Sequence, residues 1–222
     1  MTDIKQLLEQ VKTSQDKALG ESIYQLQRWV KQHEGESCLS SVANAMPWLA
    51  DCLITGHQWN VDGCAISIFR RVTVNKETLE RLIALNKEKI DWLLVEAMSK
   101  IEVELFSDAV EHEWCRALLC NEAQDKAADA LYLFKSHLKQ PTTIIALGQV
   151  ALTANSTVRD RALQVLCHAT TTHSMNKLAM QQLLLIEAQA NQAVRQTLKA
   201  ISNTMLSRLN KKILFKDKDG KS

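Results

Sequence analysis

A short phrase occurs twice near the end of this 222-residue chain. The first copy is Ala154-Asn155-Ser156-Thr157-Val158-Arg159, followed by Ala162, Val165 and Leu166. The second is Ala190-Asn191-Gln192-Ala193-Val194-Arg195, followed by Leu198 and Ile201. The two Val-Arg pairs lie 36 residues apart. Self-similarity at this period is the mark of helical hairpins that stack on one another, because one hairpin cannot bury its apolar face alone. The expected fold is therefore all-α: a short right-handed α-solenoid rather than a closed globule.

Composition agrees. Six Gly and two Pro are too few for a strand-rich fold with many tight turns. Ala, Leu, Gln, Glu and Lys, all good helix formers, dominate. The formal net charge is only +2, which does not by itself imply a nucleic-acid partner. Its distribution is uneven: residues 1–140 hold 16 Lys and Arg against 21 Asp and Glu, and residues 141–222 hold 11 against 4. Such a chain has two kinds of face.

The apolar spacing sets out the helices. Ile4, Leu7, Leu8 and Val11 share one face over 3–13, and Leu19, Ile23, Leu26, Trp29 and Val30 share another over 16–32. A helix over 37–54 meets Pro47 as a break or kink. Ile54 to Gly63 reads as a turn flanked by Gly56 and Gly63. Val72-Thr73-Val74 alternates like a strand, but a lone strand has no pairing partner, so 60–74 is assigned to helix. Residues 76–98 form one long helix or a pair. Further helices are expected over 107–120, 124–138, 141–153, 157–170, 175–188 and 191–209. Residues 1–209 are expected to form a single repeat domain, and 210–222 a basic flexible tail. Traced backwards, the slot of Val158 falls on Lys126, Ile90 and Val61.

The repeated phrase resembles the HEAT and armadillo-like helical repeats. There, an apolar first helix ends in a short polar turn and Val-Arg opens the second helix. Leu147, Val150 and Leu152 precede the first copy here, and Leu184, Leu185 and Ile186 the second. The resemblance is clearest over about 141–206. Ser156 and Gln192 stand where the family has an acidic residue, and the copy at 126 lacks Val-Arg. The resemblance implies second helices lining a concave wall, and Arg159 and Arg195 tying neighbouring repeats together by hydrogen bonds.

The exposed positions of the second helices are the expected partner-binding residues: Arg70, Arg71, Tyr132, Lys135, Arg161, Gln164, His168, Lys199 and Asn203. Mostly basic or amide-bearing, they suit an acidic peptide or another protein, and less well a phosphate backbone. Trp59, in the turn beside His57, is a candidate aromatic anchor. Trp29, Trp48, Trp92 and Trp114 are assigned to the core.

Glu96, Glu102, Glu104, Asp108, Glu111 and Glu113 crowd one segment and read as an acidic surface rather than a catalytic pair. His112 and Cys115 share a helical face but lack a second ligand pair, so no metal site is expected. No cofactor, catalytic residue or small-molecule substrate is expected either. The six cysteines, none in a Cys-x-x-Cys motif, read as free thiols of a cytoplasmic protein. The first residues open a polar amphipathic segment rather than a secretory signal. No apolar run approaches the 18 to 20 or so residues of a membrane span. The resulting expectation is a non-enzymatic scaffold or adaptor. The alternative is a nucleic-acid-binding protein resembling the HEAT-like DNA-repair glycosylases.

Overall fold

The computed structural model describes residues 4–34, 42–43, 46–53, 61–171, 174–201 and 203. Trp59 with its turn and the tail 210–222 lie outside the described residues. The chain divides into two compact units, residues 1–130 and 131–222.

In the first unit, α1 (Ile4–Thr13) buries Leu7 and Val11 against α2 (Asp16–Gln32), whose Ile23, Leu26 and Val30 are fully buried. Helix α3 (Met46–Asp51) packs on α5 (Lys76–Glu88), and α4 (Val61–Phe69) packs on α2. Pro47 is the second residue of α3, and Val42 and Ala43 are helical as well. Gly63 lies inside the first turn of α4, not in the preceding turn, and its N–H is taken by the Asp62 carboxylate at 2.8 Å. Helix α4 ends at Phe69, so Val72-Thr73-Val74 lies outside it. It does have a partner. Val74 forms a single parallel bridge with Ile101, its N–H donating to the Lys100 carbonyl at 3.1 Å.

Residues 76–98 are a pair of helices, α5 and α6 (Trp92–Met98). Asp91 caps α6 by accepting from Leu93 N–H at 2.8 Å, which leaves Ile90 outside the helix and out of the repeat slot assigned to it. A 3-10 turn (Val103–Leu105) leads to α7 (Asp108–Leu118), which packs on α5 and α6. Trp114 on α7 is fully buried beside Phe106. Each large apolar side chain buried this way contributes about 1.5–3 kcal/mol relative to exposure. Trp114 is the one tryptophan of the four that belongs wholly to the core. Trp29 and Trp48 are half-buried and Trp92 is exposed.

Helix α8 (Gln124–Leu133) spans the division between units. It stops five residues short of the expected 138, so Lys135 and Ser136 sit in the turn after it. In the second unit, α9 (Pro141–Thr153) packs on both α10 (Ser156–Ala169) and α11 (Asn176–Gln189), and these two pack on each other. Residues 192–201 form α12. Gly148 on α9 lies under Gln182 of α11; a Cβ there would meet the Gln182 side chain.

The repeated phrase has one physical cause. Asn155 Oδ1 accepts from Val158 N–H at 3.1 Å, and Asn191 Oδ1 accepts from Val194 N–H, also at 3.1 Å. Each asparagine satisfies one of the orphan N–H groups that open a helix. Asn75 does the same for Thr78 at 2.9 Å, and its amide also donates to the Ala43 carbonyl at 3.1 Å. Asn155→Ala should cost about 1 kcal/mol, the usual worth of such a cap. Asn75→Ala should cost about 1 kcal/mol more, because a second hydrogen bond goes with it. Urea unfolding midpoints of the two variants beside the parent would show that order; equal losses would contradict it.

Candidate functional site

The charged residues of the first unit are largely tied to one another. Arg70, just past the end of α4, donates through Nε to Glu96 Oε1 on α6 at 2.6 Å. Lys126 Nζ on α8 lies 2.9 Å from the other oxygen, Oε2. The same ammonium stands 5.8 Å from the Trp92 ring centroid, which accounts for that tryptophan's place outside the core. Burial pushes the Glu96 carboxyl up, but the hydrogen bonds and charges of Arg70 and Lys126 outweigh it and hold the group below the ordinary glutamate value. Arg71 is likewise engaged: its guanidinium donates to the Ser67 carbonyl at 2.8 Å and Ser67 Oγ at 3.0 Å, and lies 3.5 Å from Glu34.

The acidic segment is therefore not simply an acidic surface. Glu102, Glu104 and Asp108 are exposed, but Glu96, Glu111 and Glu113 are buried. Glu113 Oε2 accepts from Asn86 Nδ2 at 2.9 Å and Arg116 Nη1 at 2.8 Å. Burying a carboxylate is costly unless donors replace water, and these donors do so. Sequence spacing hides this arrangement because Asn86 stands 27 residues and Arg70 26 residues from their acceptors.

The second unit gathers the expected basic and aromatic residues. Lys135 Nζ lies 4.0 Å and Arg161 Cζ 4.4 Å from the Tyr132 ring centroid. Each such contact is worth about 0.5–1 kcal/mol at an exposed site. Arg161, Gln164 and His168 follow one another at three- and four-residue steps on α10, one face of a helix, and all three are half-buried. His168 Nε2 lies 3.2 Å from Ser136 Oγ. Burial, then the charge of Lys135, hold the His168 imidazole below the ordinary histidine value. Ser136 did not stand out in the sequence, because it belongs to the face only once α8 ends at Leu133. Lys199 and Asn203 are exposed.

Among the described residues, the arginines of the repeated phrase make local contacts instead of bridging neighbouring repeats. Arg195 Nε donates to the Glu187 carbonyl at 3.2 Å, closing its own hairpin, and Arg159 Nε lies 3.9 Å from the adjacent Asp160. His112 is exposed while Cys115 is buried, so the two do not present a common ligand face. No group of three or more His, Cys, Asp or Glu side chains placed to hold a metal ion occurs among the described residues, and no described helix is long and apolar enough to cross a membrane.

No protein-family model matches the chain, and no curated protein does. Solved structures do. An engineered protein shares 18% identity, with 91% of this chain and 100% of that one covered and a TM-score of 0.59. A designed armadillo repeat protein shares 14% identity, with coverage of 90% and 98% and a TM-score of 0.57. A structure of computationally designed armadillo repeat proteins for modular peptide recognition shares 14%, with coverage of 90% and 99% and a TM-score of 0.58. At these identities the likeness establishes the fold, an all-α helical repeat of the armadillo and HEAT type.

The Glu96 carboxylate also makes a pH prediction. A carboxyl held below its unfolded value stabilises the fold above that value, and the contribution is lost as pH falls through the depressed folded value. Glu96→Gln should therefore flatten the acid limb of stability against pH below about 4.5, the ordinary glutamate value, and lower stability at neutral pH. Thermal unfolding of parent and variant between pH 7 and pH 3 would show converging curves; parallel curves would mean that the ion pairs carry no net stability.

Proposed function

We propose that this protein is a non-enzymatic scaffold or adaptor that holds an acidic peptide segment of another protein on the second-helix face of its helical repeats. The observation that carries this reading is the gathering of Lys135 and Arg161 around the Tyr132 ring, with Gln164 and His168 continuing the same face along α10. Cations on an aromatic platform offer an extended acidic segment both charge and contact area. The described part of residues 131–203 carries Asp160 and Glu187 as its carboxylates against seven Lys and Arg, so the stretch is net positive. Lys199 on α12 and Asn203 beyond it extend the set, and in the first unit Arg70, Arg71 and the aromatic Trp59 are further candidate contacts in this reading. The fold supports binding rather than catalysis, since repeat stacks are chiefly surfaces.

The thiols suit a cytoplasmic setting. Cys52, Cys64, Cys115, Cys120 and Cys167 form no disulfide, and burial with the neighbouring Asp51 charge pushes the Cys52 thiol up to about 12, far from reactivity.

The test is fluorescence anisotropy with a labelled eight-residue glutamate-rich peptide at low salt. The parent should bind, the affinity should fall with added salt, and Arg161→Glu should weaken it by about tenfold or more, equivalent to some 1.4 kcal/mol. Tighter binding of an unrelated single-stranded nucleic acid at the same ionic strength would overturn the peptide reading in favour of a phosphate backbone.

A further inference from the structure

We propose that Ser136 and His168 form a carboxylate subsite that binds its ligand together with a proton, taken from solvent onto His168. This rests on the acidic-peptide reading above. The Ser136–His168 pair is its centre. At 3.2 Å, one hydrogen atom lies between Ser136 Oγ and His168 Nε2, and either atom can supply it. With the imidazole neutral and its proton on Nδ1, Nε2 accepts and the serine hydroxyl is spent as its donor. With the imidazole protonated, Nε2–H donates to Oγ, and the hydroxyl hydrogen turns outward. Ser136 is exposed, so that hydrogen faces the side from which a ligand arrives. Protonation thus adds a positive charge and releases a hydroxyl donor at one place, and both favour an anion there.

The surroundings of the unliganded pair favour the neutral imidazole, burial first and then the charge of Lys135. Lys135 is the charge that acts on the imidazole, and it opposes a second one. Helix α10 itself adds Arg161 near the same Tyr132 ring. Helix α9, packed along α10, carries no titratable side chain, and α11 carries only Lys177 and Glu187. Among the described residues, Lys135 is the charged group that shifts the imidazole, and it is a cation. A ligand carboxylate supplies the missing negative charge and shifts His168 towards its protonated form.

Linkage then fixes the sign. Affinity rises as pH falls, by at most about tenfold per pH unit for one proton, between the imidazole's bound and free values. It levels off on either side. The response is confined to weakly acidic pH because the glutamates of a ligand stay ionised there.

The experiment is calorimetric titration of the full chain with the glutamate-rich peptide at pH 7.5, 6.5 and 5.5, each in two buffers of different ionisation heat. The parent should bind on the order of tenfold more tightly at pH 5.5 than at 7.5, with uptake of a fraction of one proton. His168→Gln should bind at every pH with the pH dependence and proton uptake reduced. Ser136→Ala should bind more weakly at pH 5.5 and change little at 7.5. Binding that is independent of pH, or a His168→Gln variant that keeps the full pH dependence, would overturn the proton-linked subsite and leave the peptide reading intact. No binding at any pH would overturn both. Circular dichroism at each pH confirms that the variants are folded, and the His168 ring proton signal, followed by NMR with and without peptide, reads the imidazole directly.

Discussion

A helix can begin only where something satisfies its first N–H groups, and in this chain an asparagine side chain repeatedly does so. Asn155 and Asn191 each accept from the N–H three residues on, at the same 3.1 Å. The following Val158 and Val194 then turn inward and are buried. The arginine after each valine falls on the flank of its helix. Everything else in the second unit is placed from these two points: the axis of α10, the face that carries Arg161, Gln164 and His168, and the start of α12. Asn75 performs the same service for α5 and adds a tie to Ala43. Capping thus sets both the spacing of the hairpins and the direction of the side chains that a partner would meet.

Local physics made much of the fold legible. Helix α9 runs from Pro141 to Thr153 as its proline start and apolar run indicate, α1, α2, α10 and α11 fall within one residue of their expected bounds, and α7 ends two residues early. What local pattern missed depends on distant partners. The periodicity of Trp92 is that of a core residue, yet Lys126 holds it at the surface. Glu96, Glu111 and Glu113 read as solvated because solvation is the default for a carboxylate, whereas donors 26, 27 and 30 residues away make burial of the first and last possible. Val72-Thr73-Val74 read as a strand without a partner because its partner, Ile101, contributes a single bridge and no periodic signal.

The same contrast governs the candidate site. Tyr132, Lys135, Arg161, Gln164 and His168 could be chosen from helix geometry because four- and three-residue steps place them on faces. Ser136 could not, since it joins them only where α8 stops. Arg70 and Arg71 occupy comparable positions in the first unit, but their guanidiniums are engaged by Glu96, Ser67 and Glu34.

The three-way contact at Glu96 has a further consequence for how such a chain changes over generations. One carboxylate serves cations from two other segments of the first unit, one oxygen each. A substitution at Arg70 leaves Lys126 to neutralise the buried charge, and a substitution at Lys126 leaves Arg70 and also strips the cover from Trp92. Loss of the carboxylate sets both cations in opposition. Positions 70, 96, 126 and, through the ring, 92 are physically coupled, so the effect of a substitution at any of them depends on the state of the other three.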